Sequence, residues 1–297
     1  MERVSLSKDI EFSRIVYGLW RLGDDPDHSV GHVQAKLESC LEQGITTFDQ
    51  ADIYGDYASE EILGNTLKAA PELRDRMEIV TKCDIMLLSD RRPGTRVKHY
   101  DTSADHIRTS VDNSLKNMGI DVIDVLLIHR PDPLMDHVET GGVLDELIAA
   151  GKIRGAGVSN FRPWESELLQ SGMKNLLITN QLEISLAARD SLSNGDLAWL
   201  QRHGIRPMAW SPLGGGSLMT ETGTPLAGIL DTVAERNGVD RAAVAVAWLL
   251  AHPSGIIPVL GTNNLERIGV MSKAMDVDMD RQTWFEILEA ACGHEVA

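Results

Sequence analysis

The sequence predicts an α/β protein: one (β/α)8 TIM barrel, a single domain spanning residues 1–297. Three observations carry this reading. Eight short runs rich in apolar and β-branched residues recur along the chain, and helical patterns lie between them. Eight such units within 297 residues suit a closed barrel. The open, doubly wound alternative would carry G-x-G-x-x-G after its first strand, and that fingerprint is absent; the nearest partial, GAGVSN at 155–160, breaks at Asn160.

The strand runs follow in order. IVYGLW ends near Trp20, ITTF is followed by Asp49, MEIVTK ends at Lys82, and VIDVLLIH ends at His129. IRGAGVSN ends at Asn160, LLITNQ at Gln181, IRPMAWS at Ser211, and GIIPVLGT at Thr262. Several are apolar almost throughout, as strands covered on both faces must be. Between them, Val33, Leu37, Cys40 and Leu41 share one face of a helix over 32–43, which Gly44 stops. Ile107, Val111, Leu115 and Met118 repeat every three or four residues over 102–118, with Thr102 or Ser103 able to cap the start and Gly119 following the end. A third stripe, Val143, Leu144, Leu147 and Ile148, precedes Gly151, and Asp240 precedes an apolar helix over 241–251 that stops before Pro253. Residues 84–101, DIMLLSDRRPGTRVKHYD, form a long loop after the third strand, of the kind that covers a site at a barrel rim. No linker, repeat or low-complexity tract interrupts the series.

The net charge of −16 and pI of about 4.9 exclude nucleic acid and anionic membrane surfaces as general partners. Cys40, Cys83 and Cys292 form no CxxC and no zinc spacing, which suits a reducing cytosol and a cytoplasmic protein. The N-terminal MERVSLSKDIEF has no apolar secretory core, and the run AAVAVAWLLA at 242–251 is too short to span a bilayer.

The residues at the strand ends are Asp49, Lys82, His129, Asn160, Gln181 and Ser211, with Tyr54 just past the second strand. Singly, each reads as a turn cap, a snorkelling lysine or a satisfied core histidine. A barrel gathers its strand ends on one face, where active sites sit, and that favours a common site. A buried ammonium needs a counter-ion, and Asp49 supplies one to Lys82. A charged Lys82 beside Tyr54 is expected to lower the phenol from about 10 toward neutral pH, making it a proton donor to a carbonyl oxygen. His129 is placed to orient the same oxygen. HExxH, G-x-S-x-G and the P-loop are all missing, and metal ligands are sparse, so a metal-dependent hydrolase is disfavoured and no metal is expected. The electron pair then has to come from a cofactor.

GITTFDQADIYG at 44–55, SEEILGNTL at 59–67, VTK at 80–82, DVLLIHRPD at 124–132, GKIRGAGVSNF at 151–161, NQLEIS at 180–185, WSPLGGG at 210–216 and PVLGTNNLERI at 258–268 together resemble the aldo-keto reductase family, in its order and over nearly the whole chain. The resemblance implies reduction of a small-molecule aldehyde or ketone by a nicotinamide dinucleotide bound in extended form. It puts a catalytic tetrad on Asp49, Tyr54, Lys82 and His129, with Tyr54 the general acid. It puts Ser159, Asn160 and Gln181 on the nicotinamide carboxamide, Trp210 on the nicotinamide face, and Ser211, Leu213, Gly214 and Gly215 around the pyrophosphate. At the adenosine end Gly261 and Thr262 replace the Lys-Ser of many relatives, while Arg267 remains to meet a 2′-phosphate or adenine. NADPH is therefore expected, with NADH as the alternative. Trp20 is expected to wall the substrate pocket, and Ile184 and Arg130 depart from residues common in relatives. A monomer is the family default. The same fold also serves cofactor-sensing channel subunits, which leaves a binding module as the alternative to an enzyme.

Overall fold

The eight predicted strands close on themselves in a computed structural model that describes residues 1–297. Twelve strands occur in all: β1 (Arg3–Ser5), β2 (Glu11–Ser13), β3 (Val16–Gly18), β4 (Thr47–Asp49), β5 (Glu78–Cys83), β6 (Ile85–Met86), β7 (His99–Tyr100), β8 (Ile123–Ile128), β9 (Ile153–Ser159), β10 (Leu177–Glu183), β11 (Arg206–Trp210) and β12 (Ile257–Leu260). The barrel runs β10-β11-β12-β3-β4-β5-β8-β9, and its neighbouring strands pair parallel. Parallel pairing requires a crossover between strands, and the interleaved helices supply it while covering the outer face.

The helices start and stop for local reasons. Ser103 caps Ala104–Met118 by accepting from the His106 amide, and Gly119 ends it at φ 65°. Asp240 caps Arg241–Leu250 in the same way. The predicted helix over 143–150 is longer, His137–Ala149, because Asp136 accepts from the amides of Val138 and Glu139 and starts it a turn and a half earlier. Helix Ser59–Ala69 lies so close to Ala104–Met118 that a Cβ on Gly64 would sit 2.0 Å from the carbonyl oxygen of Asn117, so only glycine fits there.

Two features carry no barrel-type signal in the sequence. The first is the antiparallel hairpin β1–β2. It closes the end of the barrel opposite the predicted site: the Ser13 amide donates to Thr47 Oγ1 at 2.9 Å, Arg3 donates to Glu78 at 2.7 Å, and Arg14 donates to the Ile256 carbonyl, all at strand beginnings. Leu6, Ile10 and Phe12 thereby join Val16, Val80, Val125, Leu127, Met208 and Ile257 in the barrel interior. The second is the ribbon β6–β7, which ties the base of the long 84–101 loop. At the C-terminus, helix Arg281–Cys292 is clamped by Trp284. Its ring stacks on Trp248 at 4.8 Å, and each indole N–H donates to the other residue's carbonyl, at 3.0 and 2.9 Å. No helix is long and apolar enough to cross a membrane.

Phe12 is fully buried at the barrel floor. Phe12→Ala should therefore cost about 3–5 kcal/mol of stability, the usual range for emptying a well-packed aromatic site. Urea denaturation should show a lower midpoint at unchanged slope.

Candidate active site

The strand ends converge as the parallel register demands. Gly18 pairs with Asp49, Asp49 with Val80, Lys82 with Leu127, and Gln181 with both Ser159 and Met208. These residues share one rim, and the Lys82 side chain points into it with no solvent exposure. Its ammonium has three oxygen partners: Asp49 Oδ2 at 2.7 Å, the Gln50 carbonyl at 2.8 Å and the Tyr54 hydroxyl at 3.0 Å. The second Asp49 oxygen accepts from Gln181 Nε2 at 2.8 Å. Gln50 was not foreseen, because it acts through its backbone carbonyl, which leaves no trace in residue type.

Tyr54 reaches this lysine because the turn after β4 is tightly wound. Gly55, Asp56 and Tyr57 all have positive φ, at 57°, 53° and 64°. Gly55 must be glycine there, since a Cβ would lie 2.6 Å from Ser59 Oγ and 2.9 Å from the Gly23 Cα. The Tyr54 and His129 rings meet edge to face with centroids 6.1 Å apart. His129 is buried, its backbone amide donates to the Cys83 carbonyl at 3.0 Å, and its Nδ1 has no protein partner.

The electrostatics correct one expectation. Desolvation raises the Tyr54 phenol above its ordinary 10; the Lys82 ammonium pulls it down, but Asp49 pushes it up again, and the net direction is upward. The lysine charge is largely compensated by the aspartate that holds it, so it cannot offset burial of the phenol. Desolvation also opposes the Lys82 ammonium, yet Asp49 and Tyr54 outweigh it and hold the lysine above 10.5. His129 goes the other way. Desolvation, then the Lys82, Arg130 and Lys98 charges, drive it well below 6.5, so the imidazole is neutral at pH 7.

The remaining predicted residues form a track along the same rim. Ser159 Oγ donates to the Gln181 carbonyl at 2.9 Å and accepts from Asn160 Nδ2 at 2.8 Å. Asn160 sits at φ 61°, a conformation asparagine tolerates, and its Oδ1 accepts from the Trp210 indole at 3.0 Å. Trp210 is thus fixed at its edge while its ring stays partly exposed. Past Ser211, itself at φ 49°, and Leu213, residues Gly214, Gly215 and Gly216 turn at φ 58°, 67° and 104°. A Cβ on Gly215 or Gly216 would meet nothing within 4 Å, so the backbone angle, not crowding, selects glycine, and the space beside the loop is open. After β12, a Cβ on Gly261 would approach the Gly18 carbonyl at 3.1 Å, and the Thr262 carbonyl accepts from the Tyr17 hydroxyl at 2.8 Å. Arg267 is exposed on the short helix Leu265–Ile268. Trp20 is 56% exposed under the Arg21 guanidinium, so it is a rim residue, not core filler. A flat ring with a fixed edge, an open glycine turn and an exposed arginine follow one another after β11 and β12, and these are the kinds of donors and surfaces that suit an extended dinucleotide. No three His, Cys, Asp or Glu side chains are grouped so that they could hold a metal ion.

Comparisons with known proteins identify relatives of the chain. The profile of the Aldo/keto reductase family matches residues 14–291. The chain is 60% identical, over all of both chains, to 6-dehydroglucose reductase of Agrobacterium fabrum (strain C58). It is 45% identical to the oxidoreductase YdhF of Escherichia coli (strain K12), over 96% of each chain. A crystal structure of an aldo/keto reductase from Klebsiella pneumoniae in complex with NADP and acetate superposes with a TM-score of 0.78 at 24% identity, covering 97% of this chain and 94% of that one.

The depressed His129 pKa has a pH signature. An unfolded histidine takes up a proton below about 6.5 while the folded one does not, so stability is full above that pH and is lost as pH falls toward the folded value. Denaturation midpoints between pH 7 and pH 5 should fall more steeply for the wild type than for His129→Asn. Parallel curves for the two proteins would contradict a neutral, buried His129.

Proposed function

The chain belongs to the aldo/keto reductase family, and on that premise we propose that it reduces an aldehyde or ketone to the alcohol using NADPH. The observation that carries the proposal is the placement of the Tyr54 hydroxyl 3.0 Å from a lysine that is itself 2.7 Å from Asp49. When bound, the nicotinamide supplies the hydride. Tyr54 donates its proton to the carbonyl oxygen as negative charge builds there. Its raised pKa keeps the donor loaded at neutral pH, and the Lys82 ammonium favours the phenolate left behind. Neutral His129 aims a ring nitrogen at the same oxygen and fixes which face of the carbonyl is presented. Asp49 keeps Lys82 protonated, and Gln181 holds Asp49 in place.

Ser159 and Asn160 are assigned to the carboxamide, Trp210 to the ring face, the turn from Ser211 through Leu213 to Gly215 to the pyrophosphate, and Gly261, Thr262 and Arg267 to the adenosine end. The bidentate fork of Arg267 suits a 2′-phosphate, which is why NADPH is preferred to NADH. The name of the 60% identical relative directs the first trial substrates to sugar-derived aldehydes.

Tyr54→Phe should lower kcat by about 10²-fold or more, the usual worth of a positioned general acid, while NADPH still binds by fluorescence titration. Carbonyl turnover that survives this change would end the proposal. Arg267→Ala should weaken NADPH by about tenfold and leave NADH within a factor of about two, the loss expected of one exposed charge-assisted contact.

A further inference from the structure

Arg130, next to the tetrad histidine, is not used by the mechanism above. Its backbone amide is pinned by Asp84 Oδ2 at 3.0 Å, so the residue is held in register with His129. Its side chain is partly buried, and its guanidinium carbon lies 5.8 Å from the centroid of the Trp210 ring. Arg74, Arg108, Arg154, Arg162 and Arg241 each find a carboxylate partner, but Arg130 has none within 4 Å and donates no side-chain hydrogen bond. Five donors therefore face the mouth of the site unspent.

It is not alone. Lys98, from the long loop, joins Arg130 and Lys82 among the charges that act on His129. Lys82 is neutralised by Asp49, whereas the other two are not paired in the ion-pair network. Arg130 thus stands without an ion-pair partner just past the end of β8, held through its backbone by Asp84. Arg130 is not among the residues assigned to the phosphates of the dinucleotide, although its guanidinium reaches the Trp210 ring that precedes them.

From this we propose that Arg130 is a specificity-determining residue that binds a carboxylate on the substrate, so that the preferred substrate is an anionic carbonyl compound, an aldehyde or ketone bearing a carboxylate. The inference rests on the carbonyl-reduction reading of the site. A guanidinium with a free fork takes a carboxylate bidentately.

The test compares succinic semialdehyde with butanal and with glyceraldehyde, a neutral hydroxylated control, at saturating NADPH. Arg130→Leu should lower kcat/KM for succinic semialdehyde about 10- to 100-fold, chiefly through KM, and the loss should exceed that on either neutral aldehyde by about tenfold or more. Arg130→Lys should recover much of the difference, and the wild-type KM for the semialdehyde should rise with salt while that for butanal does not. Equal losses on all three aldehydes, or a loss centred on glyceraldehyde, would overturn the assignment. Calorimetry of succinate with the NADPH complex reads Arg130 without any turnover. Succinate bound by the wild type and lost in Arg130→Leu, with no carbonyl reduced, would sink the reductase reading and the substrate class with it while leaving a carboxylate-binding site at Arg130; no succinate binding by the wild type overturns that site.

Discussion

A lysine ammonium with no exposure to solvent is an unfavourable thing to build, and the site is organised around the oxygens that make it tolerable. Asp49, the Gln50 carbonyl and the Tyr54 hydroxyl surround Lys82. Gln181 braces Asp49 from the far side of the barrel, 132 residues away in sequence. Removing Asp49 or Lys82 would leave the other's charge buried without its ion-pair partner, a loss of about 3–5 kcal/mol. A well-packed apolar pair would serve stability equally well in that position, so stability alone gives no reason for this arrangement. Its consequence is chemical. The ammonium fixes where the phenol sits and which protonation state follows proton transfer, and each further element of the site is placed relative to it.

The closed parallel sheet is what lets so few residues achieve this. Strand ends distant in sequence reach one rim because every strand runs the same way. The opposite end is built for packing, with the β1–β2 hairpin driving Phe12, Ile10 and Leu6 into the floor. Stability and chemistry are thereby divided between the two ends of one barrel. At the chemical end, strained backbone collects: Asp56, Tyr57, Asp84, Asn160 and Ser211, the chain's non-glycine residues with positive φ, all lie on rim loops.

Much of this was legible in the sequence. The eight apolar runs located all eight barrel strands, although β10 continues two residues beyond Gln181 to Glu183. The tetrad residues stood out because a carboxylate, an amine and an imidazole each ended an apolar run, with a phenol a few residues beyond the first of them. The hairpin and the β6–β7 ribbon were not legible. Their strands are two or three residues long, too short for any periodicity, and they exist because the barrel offers them a floor and a rim to pair against. The upward shift of the Tyr54 phenol was not legible for a related reason. Sequence names the charges near a phenol, but only packing sets how far the phenol is desolvated, and desolvation won.

The sequence by itself determined which residue types end which strands, where helices start and stop, and the net acidity of the chain, because these follow from local pattern and composition. Only the tertiary structure decided that Lys82 is fully buried, that Asp49 is shared between a lysine and a glutamine from opposite strands, and that Arg130 stands without a partner at the mouth. Burial and pairing are sums over neighbours brought from the whole length of the chain, and no local stretch of residues contains that sum.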